Sequence, residues 1–173
     1  MKKSKVLKWI FLFSFIGLIW YYFYPEKELP IDSKIDAIIV HKSKRELLVY
    51  AQGKLLKTYT IALGGNPIGH KVFDGDKKTP EGVYYINDKN PNSGYHKNLG
   101  ISYPNEKDIE EAKKIGKPVG GAVKIHGLRN KTGIISKIHR WFDWTLGCIA
   151  LTDDEVDELY HAVPIGTKIE ILP

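Results

Sequence analysis

Cysteine is almost missing from this sequence: Cys148 is the only one in 173 residues. One sulfur excludes an internal disulfide framework and any Cys-x-x-Cys pair, whether redox-active or zinc-binding. Histidine offers no substitute, because the six histidines form no His-x-His or His-Glu-x-x-His spacing. A metal site is therefore not expected. Phosphate loops, dinucleotide fingerprints and internal repeats are absent too, so no cofactor is implied. Acidic side chains do not occur before Glu26, and Lys2, Lys3, Lys5 and Lys8 supply +4 of the formal net charge of +6. The +2 that remains over the rest of the chain is too little for the basic patch or stripe of a nucleic-acid binder, so no such partner is expected.

Charge of either sign is lacking from Trp9 to Tyr24, a run of sixteen residues. As a helix that run would rise about 24 Å against a hydrocarbon core of about 30 Å. Val6 and Leu7 extend it and Lys8 can snorkel, so one membrane span is feasible. An Ala-x-Ala-like cleavage site is missing from its end, which reads Trp20-Tyr21-Tyr22-Phe23-Tyr24-Pro25 and has the look of an interfacial aromatic belt. An uncleaved anchor over residues 1–24 is favoured over a cleaved signal peptide. The lysines before the span place the N-terminus in the cytoplasm and the rest of the chain on the extracytoplasmic side of the cell membrane. The only cysteine lies far downstream, so there is no lipobox.

The rest is ample for one folded domain, since 43% of the chain is hydrophobic and 12% aromatic. Residues 25–33, with two prolines and mixed charge, read as a linker to a domain over 34–173. Short β-rich runs follow over 35–40, 46–50 and 55–63, the last two joined by Gln52-Gly53, so the domain opens as a meander and not as a βαβ unit. Residues 63–82 read as a long loop that ends in the turn Thr79-Pro80-Glu81-Gly82 and feeds a strand over 83–87. The stretch 87–105 is turn-rich and aromatic. It reads either as a surface loop or as one wall of a substrate groove lined by Tyr95, His96 and Tyr103.

Helices are expected over 105–115, capped by Asn105, and after the capping box Thr152-Asp153-Asp154-Glu155, where Val156, Leu159, Tyr160 and Val163 make an apolar stripe. A short strand over 121–125 delivers His126, and an alternating strand over 166–172 ends the chain. Between His126 and Cys148 the segment 128–144 interleaves Arg129, Lys131, Lys137, His139 and Arg140 with Trp141, Phe142 and Trp144. That mixture suits a lid gripping a carboxylate-bearing peptide, while its tryptophans are themselves expected in the core. His41 and His161 read as surface or core-edge residues, and His70 sits in a glycine-rich loop that can reach a site. The fold class is mostly β with short helices, preceded by one N-terminal transmembrane or signal helix.

The chemistry concentrates on Lys124-Ile125-His126-Gly127 and Trp144-Thr145-Leu146-Gly147-Cys148-Ile149-Ala150-Leu151. A lone cysteine is most often a small buried hydrophobe. In an oxidising compartment, however, an unpaired cysteine is a reactive thiol. The thiolate is the nucleophile and a free thiol has a pKa of about 8.5, so it needs a base or local positive charge. His126 titrates in the range that lets it take the thiol proton and return it to a leaving amine. Gly147 permits a tight turn with N–H groups beside the sulfur, where an oxyanion needs donors. A helix beginning near Thr152 adds a positive dipole end, although its effect fades within a turn.

These residues resemble a known family. His-Gly followed by Ser/Thr-x-Gly-Cys-Ile-x-Leu, with Thr79-Pro80-Glu81-Gly82-Val83-Tyr84 upstream, is similar to the YkuD-type L,D-transpeptidases, cysteine enzymes that remodel bacterial peptidoglycan. The resemblance covers roughly residues 35–172 and implies a YkuD-like curved sandwich of mixed sheets. It implies Cys148 as nucleophile, His126 as base, the Gly127 carbonyl orienting the imidazole, and the N–H groups of Gly147 and Cys148 as oxyanion hole. The substrate contacts expected alongside are Tyr95, His96, Tyr103, His139, Arg140, Trp144 and Thr145. The substrate implied is a peptidoglycan stem peptide, with carbapenem-type inhibitors as mimics. Three outcomes share one acyl-enzyme: transfer, exchange and hydrolysis. The sequence departs from better-known members at Leu146, where they carry histidine, and at Ala150, where they carry arginine or asparagine. The interval of 22 positions from His126 to Cys148 is longer than is common there. Those departures also leave open a non-catalytic peptidoglycan-binding module, against which the retention of both Cys148 and His126 argues.

Overall fold

The computed structural model describes residues 2–173, with side chains from Lys5 onward; Met1 and the side chains of Lys2 and Lys3 in the basic flank lie outside the described residues. Helix α1 spans Lys2–Phe23. Its apolar side chains are exposed all around, and Lys5–Phe23 is long and apolar enough to cross a membrane. Among the described residues, none of α1 belongs to or packs against the hydrophobic core of the following domain.

The domain begins with the expected meander: β1 (Ala37–His41), β2 (Glu46–Ala51) and β3 (Lys54–Thr60). Strands β2 and β3 pair antiparallel around Gln52 and Gly53, whose φ angles of 51° and 72° are those a tight two-residue hairpin turn demands. Strand β8 (Lys168–Leu172) returns from the far end of the chain to pair parallel with β1, Ile38 against Ile169 and Val40 against Ile171. In each of these strands alternate residues are buried, so Ile38, Val40, Leu47, Val49, Ile169 and Ile171 share one core.

The sheet continues through β4 (Gly82–Ser93) and β5 (His96–Ile101) to β6 (Lys124–His126) and β7 (Ile149–Ala150), in the order β3-β2-β1-β8-β4-β5-β6-β7. Residues 87–105, read from sequence as turns and loop, are therefore largely hairpin. Asn87, Pro91 and Asn92 fall at irregularities of the ladder: the register shifts between Ile86 and Asp88 and again between Asn90 and Ser93. A proline is tolerated at such a bulge because no ladder N–H is required of it. The first four residues of β4 pair with β8 and the remainder with β5. One strand that changes partner along its length, with bulges that add twist, turns the sheet into a curled mixed sheet, in keeping with the expected curved, mostly β fold.

Two helices close the core. Helix α2 (Glu106–Lys114) has the Asn105 cap, completed as a capping box by Asp108, and α3 (Asp153–Ala162) has the Thr152–Glu155 capping box. Val156, Leu159 and Val163 beneath α3 join the sheet residues, whereas Tyr160 is only half-buried. The segment 128–144 is a 3-10 helix over Gly133–Trp141, interrupted at Ser136, where φ is 42° and ψ −128°.

Candidate active site

The shortest strands of the sheet make the site. Strand β7 runs parallel to β6, with Ile149 beside Ile125 and Ala150 beside His126. The same offset puts Cys148, just before β7, beside Lys124. Alternation along a strand sends positions 124 and 126 to one face, so Cys148 and His126 are diagonal neighbours despite the long excursion between them. Both line a cavity of about 340 Å³. A wider cavity of about 490 Å³ lies by His70, Tyr84, Asp108 and Glu111; it contains neither Cys148 nor His126.

The imidazole of His126 is 6% exposed. Its Nδ1 lies 2.7 Å from the Gly127 carbonyl oxygen. A carbonyl only accepts, so Nδ1 carries the hydrogen and Nε2 keeps its lone pair. Burial lowers the His126 pKa below its ordinary value, and the bond to Gly127 opposes this only in part. The rings of Tyr95 and Trp144 stand 4.7 and 5.8 Å from the imidazole and hold its plane. Gly127 is required by crowding: a Cβ there would lie 2.6 Å from Asp153 Oδ1 and 3.0 Å from His96 Cβ.

Burial pushes the Cys148 thiol up; the Lys124 N–H and the ammonium groups of Lys124 and Lys71 pull it back without cancelling the effect. The Sγ faces the Ala122 carbonyl at 3.7 Å. Both shifts favour uncharged forms, so the resting pair is a neutral thiol and a neutral imidazole.

Thr145 holds the turn before the cysteine. Its hydroxyl donates to the Cys148 carbonyl at 2.7 Å and accepts from the Gly147 N–H at 3.1 Å. In the free protein the Gly147 N–H, expected from the resemblance as an oxyanion donor, is therefore engaged by Thr145. Gly147 has φ +133°, and a Cβ on it would lie 2.6 Å from the Lys78 carbonyl oxygen. That carbonyl belongs to the Gly-Asp-Lys-Lys-Thr-Pro segment, whose organiser is Asp76: its carboxylate accepts from Lys71 Nζ (2.9 Å) and from the N–H groups of Val72, Phe73 and Lys78. Burial opposes ionisation of Asp76, but these donors outweigh it and hold its carboxyl below the ordinary range. Thr79 is buried and its hydroxyl accepts from the Gly64 N–H at 3.2 Å. The upstream motif thus acts as a buttress behind Gly147.

Of the substrate contacts expected from sequence, Tyr95, Trp144 and Thr145 line the cavity. The other four do not. Tyr103 is buried in the core, its hydroxyl donating to the Val119 carbonyl. His96 pairs with Asp157 on α3 at 2.8 Å, outside the cavity. His139 is buried, and the Arg140 guanidinium is bonded to Glu26 (2.8 Å) and Glu155 (2.7 Å) of its own chain. The guanidinium is buried against those two carboxylates and does not line the cavity. His70 belongs to the wider cavity, and Trp141, expected in the core, is exposed, as is Phe142 beside it. The cavity walls that sequence reasoning missed are Ser93, Asn98, Ala122 and Lys124. Asn98 is buried with its Oδ1 unpartnered, and the Trp144 indole N–H is unpartnered too. A β-hairpin over 82–101 was the signal to find, since its register sets Asn98 beside His126. Leu146 stands exposed on the rim. Ala150 is fully buried beside His126 in the β6–β7 register and is not among the residues that line the cavity.

Residues 35–171 match the L,D-transpeptidase catalytic domain family, YkuD, and the chain belongs to it. It is 30% identical over 132 residues to "Putative L,D-transpeptidase YafK" of Escherichia coli K12, covering 73% of this chain and 46% of that protein. It is 29% identical over 164 residues to "Putative L,D-transpeptidase YqjB" of Bacillus subtilis, covering 92% and 81%. Among solved structures, a variant of the helical cell shape determining protein Pgp2 of Campylobacter jejuni superposes with a TM-score of 0.60 at 26% identity, covering 83% of this chain and 49% of that one. The chain thus spans about half the length of YafK and Pgp2.

Proposed function

We propose that residues 34–173 form a cysteine L,D-transpeptidase acting on peptidoglycan stem peptides through a Cys148 thioester. The observation that carries this reading is the His126–Cys148 pair in one cavity, with Nδ1 tied to Gly127 and Nε2 left for the thiol proton. His126 takes that proton as sulfur attacks the carbonyl joining an L-centred diamino acid to D-alanine. The Cys148 N–H, which has no hydrogen-bond partner among the described residues, faces the developing oxyanion. His126 then protonates the leaving amine, the C–N bond breaks and a thioester remains. An amine acceptor attacks the thioester, loses a proton to His126, and the thiol is restored by that proton. The products are 3,3 crosslinks, protein attachments or exchanged D-amino acids.

The apolar helix is read as a retained anchor, with the catalytic domain on the extracytoplasmic side. The last turn of α1 supports this. Lys137 is buried, with its ammonium on the Tyr21 and Tyr24 carbonyls, partners it would lose if the chain were cut before Glu26.

Mass spectrometry of muropeptides incubated with the purified full chain tests the reaction. Crosslinked or exchanged tetrapeptides are expected with the wild-type chain and not with Cys148→Ala. Tripeptide alone would make the protein a hydrolase, and identical products from both chains would leave a binding module. A covalent carbapenem adduct, seen by intact mass on the wild type only, checks the nucleophile independently.

A further inference from the structure

The 3-10 segment and the residue after it are inside out. Lys137 and His139 are turned inward at 6% and 3% exposure, while Ile134, Trp141 and Phe142 stand 81%, 52% and 63% exposed. A segment that faces water buries its apolar side chains and solvates its charges; the reverse order is favourable where the adjoining medium is apolar.

The segment is also fastened to the end of α1. The Tyr22 hydroxyl donates to the Ile134 carbonyl at 2.5 Å and the Tyr21 hydroxyl to the Lys137 carbonyl at 3.4 Å, and the Tyr21 and Trp141 rings are 6.2 Å apart. Lys137 Nζ returns bonds to the carbonyls of Tyr21 and Tyr24. Glu26 then links Lys137 at 3.3 Å to Arg140 at 2.8 Å. The charges of Lys137 and Arg140 are thus neutralised by Glu26, on the chain leaving α1, together with Glu155 of α3, and the outward face stays uncharged.

We propose that the face from Ile134 to Phe142 is a second membrane-contact surface, lying in the interfacial layer of the bilayer beside the exit of α1. The proposal rests on the reading of α1 as a membrane span. Lipid is the occupant because this face is continuous with the span: Tyr21 and Tyr22, which belong to the aromatic belt at head-group depth, are the residues that hold the segment, so the segment shares their depth. Trp141 suits that layer, and Ile134 and Phe142 reach toward the acyl boundary. One spanning and one interfacial contact together fix the orientation of the domain relative to the bilayer. The cavity is held at a set height above the bilayer, because Trp144 and Leu146 on its wall follow directly after the segment.

Nitroxide accessibility on the full chain in phosphatidylethanolamine–phosphatidylglycerol vesicles tests this. In a Cys148→Ser background, labels are placed one at a time through Ile134→Cys, Phe142→Cys and, as an aqueous control on an exposed loop, Ile68→Cys. All three side chains are exposed, so none of the changes disturbs the core. Flotation with the vesicles after carbonate washing is scored first, and a released chain would overturn the anchor reading and this proposal with it. For a chain that floats, the oxygen-to-nickel accessibility ratio at 134 and 142 is expected to be several-fold above that at 68. Equal ratios at all three positions in a floating chain would overturn the proposal while leaving the anchor intact. Spin–spin broadening at 134 or 142 would instead assign the face to a second copy of the chain, and would overturn it too.

Discussion

Nδ1 of His126 donates to the Gly127 carbonyl at 2.7 Å, and this bond decides which ring nitrogen is left for the thiol of Cys148. With burial lowering the imidazole pKa and raising the thiol pKa, the pair rests uncharged. Thiolate absorbance near 240 nm should therefore be absent at neutral pH and appear only in the alkaline range, above the ordinary thiol value. Acylation should lose rate on the acid side with a midpoint below 6.5, the ordinary imidazole value, because only neutral His126 accepts a proton. Thiolate absorbance at neutral pH would show an ion pair instead and overturn this picture.

His126→Ala should remove acylation near neutral pH, and His139→Ala should not. The reason is placement: His139 is buried with both ring nitrogens unpartnered and packs edge-on against Trp144 at 6.4 Å. Single-turnover acylation of the two variants separates them, and an inactive but folded His139→Ala would reassign the base.

Burial, with help from the Arg140 charge, drives the His139 pKa down to about 4. A histidine kept neutral by the fold binds its proton first in the unfolded chain. It therefore contributes stability that is present above the unfolded value near 6.5 and is lost as pH falls toward 4. The full window is worth about 3 kcal/mol, on the scale of about 1.4 kcal/mol per pKa unit. Urea unfolding at pH 7 and pH 5 should show a smaller loss for His139→Gln than for the wild type; His126, shifted in the same direction, contributes equally to both chains. Parallel losses would mean that His139 is not held neutral.

Gly147→Ala should slow acylation by on the order of 100-fold, the cost of moving a reacting group by about an ångström. The added methyl meets the Lys78 carbonyl at 2.6 Å in a backbone region L residues rarely adopt. Carbapenem acylation followed by stopped flow gives the rate, and a wild-type rate would show that the turn can shift without disturbing Cys148.

Asn98→Leu should raise thermal stability and at the same time raise KM. Its buried amide oxygen has no partner in the free protein, and an unsatisfied buried group costs about 1–3 kcal/mol. Leucine removes that cost, and it also removes a group through which the cavity can hold a polar substrate. A drop in melting temperature with unchanged KM would show Asn98 to be a structural residue.

Local features are legible in the amino-acid sequence. The Asn105 cap of α2, the capping box of α3, the Gln52-Gly53 hairpin, the uncharged run of α1 and the His126 and Cys148 motifs all depend on neighbours a few residues apart, so residue type and spacing are enough to read them. Long-range pairing is not legible in the same way. The turn-forming residues of 87–105 conceal a hairpin because β-bulges absorb them. Arg140 looks available to substrate because Glu26 and Glu155, which neutralise it, come from two distant parts of the chain. Which residues can do chemistry follows from residue type, since nucleophilicity, basicity and backbone freedom are properties of the side chain and its Cα. Which of them meet follows from the fold: the parallel register of β6 and β7 sets Cys148 diagonal to His126, and burial then removes water from both and shifts their titrations in opposite directions.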